Sequence, residues 1–198
     1  MPGTLVHLVR HGAHALVGQT LVGRTPGVRL SAEGRQQAER VADRLAGRPI
    51  AVVLSSPQPR TMETAAPIAA RHALAVTAEP GLDELDFGAW QGLDFAILAE
   101  REDWQAWNRA RGLARPPGGE MMAAAQARAL AVLARARAAW PGGEVVLTGH
   151  QDVLRAALLG VLGVPLDLFG RVALRPGGRA AVRLWDDHAE LDALDNGA

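Results

Sequence analysis

An arginine and a histidine leave one short apolar run together in Leu8-Val9-Arg10-His11-Gly12. An imidazole at a strand's end suits attack on a phosphate ester when a guanidinium stands beside it and a glycine behind it lets a ligand approach the backbone. A second run, Glu144-Val145-Val146-Leu147-Thr148, ends in Gly149-His150, and a third, Ala51-Val52-Val53-Leu54-Ser55, leads through Ser56-Pro57 to Arg60. Phosphoryl transfer needs an in-line nucleophile, positive groups around the equatorial oxygens and a proton for the leaving oxygen. His11 suits the first of these roles. Arg10 and Arg60 can each bind phosphoryl oxygens bidentately, helix-start amides near Arg60 add to the same field, and His150 can donate a further hydrogen bond. Two guanidiniums beside His11 also favour its neutral, nucleophilic form, because a third positive charge is disfavoured there. The attacking ring nitrogen is left open. For the proton, Leu82-Asp83-Glu84-Leu85-Asp86-Phe87-Gly88-Ala89-Trp90 offers three carboxyls beside aromatic side chains, and the local pattern does not choose among Asp83, Glu84 and Asp86.

The elements that must position these groups follow from periodicity and punctuation. Thr4 to Arg10 reads as a buried strand, and Gly12 to Leu30 as a long loop with too many turn formers for regular structure, a type of loop that is usually functional. Ser31 is placed to cap a helix over about Ala32 to Ala46, where Ala38, Val41, Ala42 and Leu45 recur at helical spacing before Gly47. Ala51 to Ser55 is a second strand, Pro57 to about His72 a helix, and Ala75 to Ala78 a short third strand. Glu79 to Gly92 is loop-like, Phe95 to Arg111 helical, and about Glu120 to Ala139 a long alanine-rich helix. Val145 to Thr148 gives a fourth strand, followed by a helix over about Val153 to Leu162. Val172 to Leu174 and Ala180 to Leu184, joined across Pro176-Gly177-Gly178, predict a terminal hairpin or edge pair. Alternating strands and helices predict an α/β three-layer sandwich, a mostly parallel central sheet with helices on both faces, whose ligands bind beyond the strands' carboxyl ends. His11, Arg60 and His150 all fall near that edge.

At 198 residues, 48% of them apolar, the chain predicts one α/β domain, 1–198, with a sizeable core. Basic and acidic residues number 21 each, so no global field draws the protein to nucleic acid or anionic lipid. All the Lys/Arg positions are arginine, a bias that dilutes the meaning of any one of them. Without cysteine, disulfides, thiolate metal sites and thiol catalysis are excluded. Met1-Pro2-Gly3-Thr4 lacks the marks of a signal peptide and no stretch is long and apolar enough to span a membrane, which predicts a cytoplasmic location.

Five stretches, in order and across nearly the whole chain, resemble the histidine phosphatase, or phosphoglycerate-mutase-like, superfamily, in the branch with the N-terminal Arg-His-Gly motif. They are Leu8-Val9-Arg10-His11-Gly12; Leu30-Ser31-Ala32-Glu33-Gly34 with Gln37-Ala38; Ser55-Ser56-Pro57-Gln58-Pro59-Arg60-Thr61 with Glu63-Thr64-Ala65; Glu84 to Gly92; and Gly149-His150 with Val153-Leu154-Arg155. The resemblance implies a phosphohistidine at His11, a phosphate pocket from Arg10, Arg60 and His150, and Glu84 as proton donor, with no cofactor and no metal. Gly12, Gly23 and Gln151 join the expected substrate contacts. The chain departs from the family's pattern at Ala13, His14 and Val17 after the first motif, and at Gln151-Asp152 after His150. The segments Ala13 to Arg29 and Leu93 to Arg115 would recognise the alcohol portion of the substrate.

Plainer readings stand beside these. Arg10 and His11 alone could cap a strand end, His150 could be a satisfied core histidine, Arg60 a solvated helix residue, and Glu84 a loop terminus; five motifs in register weigh against all four. His7, His11 and His14 suggest a metal site, but on a strand His7 and His11 lie roughly 13 Å apart and no carboxylates accompany them. The segment at about 93–118, with Trp104, Trp107, Arg109, Arg111 and Arg115, is either a lid over the leaving group or a helix packed by tryptophan with solvated arginines. Arg128, Arg135 and Arg137 read as a wet helix face, and His72 and His188 as surface residues. The expected activity is metal-independent hydrolysis of a small-molecule phosphate ester, with a phosphomutase as the enzymatic alternative and a non-catalytic phospho-ligand sensor as the alternative of another class. Neither nucleic acid nor membrane is an expected partner, and a homodimer is compatible with the chain.

Overall fold

The computed structural model describes residues 2–196. Its centre is a six-stranded sheet in the order β3-β2-β4-β1-β5-β6, formed by β1 (Thr4–Arg10), β2 (Ile50–Ser55), β3 (Val76–Ala78), β4 (Glu144–Gly149), β5 (Arg179–Leu184) and β6 (Ala189–Asp195). The first four strands run parallel, whereas β5 is antiparallel to β1 and β6 to β5. β1 is buried along nearly its whole length, as a strand with helices on both faces must be. Alternate side chains sort to the two faces. Val6, Leu8, Val145 and Leu147 pack with residues of α5 (Met122–Ala139) and α6 (Gln151–Val161). Val9, Val53 and Val146 pack with Val41, Ala42, Leu45, Ala65 and Ile68 of α1 (Ala32–Leu45) and α2 (Pro59–Arg71). Ser31 caps α1 as its sequence context predicts, its Oγ accepting from Gly34 N at 3.1 Å.

A further cluster lies beyond the strand ends, where Leu85, Phe87, Trp90 and Trp107 meet Leu98, Met122, Ala156, Leu159 and Phe169. The stretch predicted as one helix over Phe95–Arg111 is two, α3 (Phe95–Ala99) and α4 (Glu102–Arg109), because Arg101 is extended and starts the second. The terminal hairpin also differs from expectation. Residues 172–175 form no strand, and the partner of β5 is β6, an exposed edge strand. Glu190, Asp192 and Asp195 keep that edge charged, which blunts edge-to-edge pairing and hides the apolar alternation by which strands are found. Among the described residues no helix is long and apolar enough to cross a membrane.

Candidate active site

Sheet register brings three distant stretches to one level. Arg10 stands opposite Gly149, and Thr148 lies opposite Val9 on one side and Ser55 on the other. Beyond the last pairs His11 N donates to Gly149 O at 3.0 Å and Ser56 N to Thr148 O at 2.9 Å. His11, His150 and Ser56 therefore leave adjacent parallel strands together. Arg60 follows in the first turn of α2, and its side chain returns to the same point.

His11 is 3% exposed and its Nδ1–H donates to Gly12 O at 2.7 Å, which leaves the Nε2 lone pair as its nucleophilic position. Burial, then the charges of Arg10 and Arg60, hold the imidazole well below the ordinary histidine pKa. It is neutral throughout the physiological range. The sequence does not say which ring nitrogen of His11 is free; the hydrogen bond to Gly12 O leaves it Nε2.

Arg60 is buried and Arg10 half-buried, and each guanidinium is anchored at one end only. Arg10 Nη1 donates to Gln151 Oε1 at 2.6 Å and to Leu174 O at 2.8 Å, while its buried Nε has no partner. Arg60 Nη2 donates to Gly23 O at 2.6 Å and to His150 Nδ1 at 3.0 Å, while its buried Nε and Nη1 have none. Unpaired buried donors of this kind are costly unless an acceptor comes to them, and an anion between the two arginines meets that need. Burial lowers Arg10 to about 10, so it keeps its charge at neutral pH.

His150 is placed behind Arg60. An arginine can only donate, so His150 Nδ1 accepts, and Nε2–H then donates to Ser56 Oγ at 2.8 Å; Ser56 in turn reaches Asp83 Oδ1 at 3.2 Å. Both ring nitrogens are engaged within the protein, and the ring meets that of His11 edge-on at 5.3 Å. This arrangement orients Arg60 and buttresses His11. His150 itself is not among the residues that line the cavity.

Of the three loop carboxyls, Glu84 is the one that is both buried and in the wall of the cavity. Burial first, and the nearby Asp152 charge second, raise its pKa to about 7, so a proton is present on it near neutrality. Glu84 Oε1 accepts from Leu85 N at 3.0 Å and Val153 N at 3.3 Å. The main chain behind it is clamped by two further arginines. Arg128 donates to the carbonyls of Gly81, Asp83 and Glu84, and Arg24 Nε to Glu84 O at 2.7 Å. Glu120 holds both guanidiniums. Arg128 is thus no part of a wet face, contrary to the sequence reading, whereas Arg135 remains exposed in an ion pair with Glu79. The spacing of Arg128 resembles that of its solvated neighbours, so only its contacts distinguish it.

The cavity has a volume of about 320 Å³, and Arg10, His11, Arg60 and Glu84 line it together with Gly23, Phe87, Gln151 and Asp152. Gln151 orients Arg10, and Gly23 offers its carbonyl to Arg60. Gly12 serves packing instead of ligand approach: its N donates to Thr64 Oγ1, and a Cβ there would collide with the Gly34 carbonyl. His14, 7% exposed, lines the same cavity with its ring 5.4 Å from that of His11, and burial lowers it to about 4. His7 is remote from both, between Glu144 and Arg179. Among the described residues no group of three or more His, Cys, Asp or Glu side chains could hold a metal ion. In the 93–118 segment Trp107 is fully buried and Arg111 lies over its ring at 3.8 Å, so α4 is packed by tryptophan, and Phe95 is the part of the segment that lines the cavity.

The chain is 42% identical over 160 residues to the uncharacterized protein Rv0525 of Mycobacterium tuberculosis, covering 75% of this chain and 73% of that one. It is 33% identical over 153 residues to phosphoserine phosphatase 1 of Hydrogenobacter thermophilus, covering 75% and 72%. A mycobacterial glucosyl-3-phosphoglycerate phosphatase superposes with a TM-score of 0.88 at 25% identity, covering 99% of this chain and 100% of that one. The model of the histidine phosphatase superfamily (branch 1) matches residues 6–197, and the chain belongs to that superfamily.

Proposed function

We propose that this protein is a phosphomonoesterase that works through a phosphohistidine on His11 Nε2 and acts on a small phosphorylated metabolite. The observation that carries this reading is the pair of guanidiniums, Arg10 and Arg60, with buried, unpartnered N–H donors beside an imidazole whose Nδ1–H is already committed to Gly12 O. The phosphoryl group sits between the arginines, and their charge spreads over its equatorial oxygens as the bond order to phosphorus changes. Nε2 attacks phosphorus, the ester P–O bond breaks, and Glu84 gives its proton to the departing alkoxide. Water then attacks the phosphoryl group in line with the P–N bond, Glu84 as carboxylate takes the water's proton, and inorganic phosphate leaves a neutral His11. No step in this sequence calls for a metal, because the two guanidiniums supply the charge that a divalent ion would.

Similarity to a phosphoserine phosphatase and to a glucosyl-3-phosphoglycerate phosphatase supports hydrolysis of a phosphorylated metabolite. The test is turnover of p-nitrophenyl phosphate and of sugar and glycerate phosphates in the presence of chelator, with quenching to trap acid-labile phosphate on His11. Free phosphate and labelled His11 are expected. Tight binding without turnover would make the protein a sensor instead, and isomerised ester exceeding free phosphate would make it a mutase.

A further inference from the structure

Charges in the cavity specify more than the phosphoryl group. Among the described residues its only lining cations are Arg10 and Arg60, and both belong to the phosphoryl end. The rest of the lining includes the apolar Leu21, Val22, Phe87 and Phe95 and the two acids Glu84 and Asp152. Arg111 is nearby but committed. Its Nη1 donates to Asp152 Oδ1 at 3.2 Å, its Nη2 to Asn108 Oδ1 at 2.7 Å, and its guanidinium is held between the rings of Trp107 at 3.8 Å and Phe169 at 4.0 Å. Arg155 is similarly stacked on Phe169 and donates to the Phe169 carbonyl. Neither arginine lines the cavity. His14, the remaining basic group in the wall, is neutral near pH 7.

A dianionic phosphoryl group matches two guanidiniums. Within this cavity a second anion on the same small molecule would have no lining cation of its own and would meet the carboxylate of Asp152, whose ion-pair partner Arg111 lies outside the lining. Resting on the phosphate-ester reading of this cavity, we propose that the physiological substrate is the phosphate ester of an alcohol that is uncharged or cationic within three carbons of the ester oxygen, and that Asp152 excludes alcohols carrying a carboxylate there. An aliphatic or hydroxylated carbon skeleton lies against Leu21, Val22 and Phe95, with polar contacts to the imidazole of His14 and the carboxamide of Gln151.

Two matched pairs isolate the carboxylate: glycerol 3-phosphate against 3-phosphoglycerate, and phosphoethanolamine against phosphoserine. Their affinities are measured by calorimetry on His11→Ala, which cannot form the phosphohistidine, so the comparison holds whether or not the native protein is a hydrolase. Turnover of p-nitrophenyl phosphate by the native protein reports that question separately. The member without carboxylate is expected to bind tighter in each pair by on the order of tenfold. Adding Asp152→Asn should shrink both gaps severalfold, since the amide keeps the shape, removes the charge and releases Arg111. Equal or tighter binding of the carboxylate members overturns the proposal. Gaps that survive Asp152→Asn unchanged remove Asp152 as their cause and overturn its exclusion role.

Discussion

The floor and the outer wall of the cavity are built in different ways. The floor consists of groups leaving adjacent parallel strands or the first turn of α2, and sheet register fixes their spacing before any side chain packs. The outer wall consists of loop residues, Leu21, Val22, Glu84 and Phe87, and of Phe95 on the short helix α3, held by the tryptophan cluster and by guanidiniums that grip backbone carbonyls. On the proposed reading, the reacting phosphate is held by the part of the fold hardest to deform. The alcohol is met by the part that sequence change reshapes most readily, which is how one scaffold carries many substrates.

If the floor performs the chemistry, the largest effect falls on its nucleophile. His11→Ala is expected to lower turnover by roughly 10⁴ or more and to abolish the acid-labile label, with the melting temperature little changed. Retained label would move the phosphohistidine elsewhere. If Glu84, in the wall, is the proton donor proposed above, Glu84→Gln should cost about 10²–10⁴ with alkyl phosphates and far less with p-nitrophenyl phosphate, whose leaving group scarcely needs a proton. Equal losses on both would take the proton-donor role from Glu84.

The pH profile sharpens the same division. A donor of pKa about 7 must be protonated to act, so kcat/KM for an alkyl ester should fall tenfold per unit above that pH. Because the His11 pKa lies well below its ordinary value, the imidazole contributes no acid limb near pH 6. An alkyl-ester profile that stays level to pH 9 would contradict the Glu84 assignment.

Removing the wall's support tests the other side of the comparison. Trp107→Ala empties a fully buried site that contacts Phe87, Trp90 and Arg111, and should cost about 3–5 kcal/mol in urea unfolding. A loss under about 1 kcal/mol would show that α4 is detachable, as a lid would be. The smallest effect is expected from Glu120→Gln, which loosens Arg24 and Arg128 behind the Glu84 carbonyl. A loss of several-fold, confined to alkyl esters, is the expected result. A matching loss with p-nitrophenyl phosphate would mean that Glu120 supports the fold in general and not the placement of Glu84.

Much of the floor is legible in the chain because its information is local. A strand that ends in Arg10-His11 places both groups at the sheet edge wherever the rest of the protein goes, and the Ser31 cap and the helical spacing behind it mark α1 without tertiary help. The strand β6 is not legible, since its acidic residues and exposed edge position mask a short apolar alternation. Arg128 is equally hidden, because in a chain whose Lys/Arg positions are all arginine nothing local separates a clamp from a solvated side chain. Gly12 misleads in the other direction, its small size serving the close approach of Gly34.

By itself the sequence determined the alternation of β1 to β4 with helices, the apolar faces that must be covered, and the set of groups able to handle a phosphate. Periodicity and strand-end placement are properties of contiguous residues. Tertiary structure alone decided that Nε2 of His11 is its unengaged nitrogen, that His150 faces Arg60 and Ser56, and that Glu84 is the carboxyl buried far enough to carry a proton near pH 7. Those outcomes depend on which groups distant in the chain share a small volume shielded from water, and desolvation and charge coupling arise only once they do.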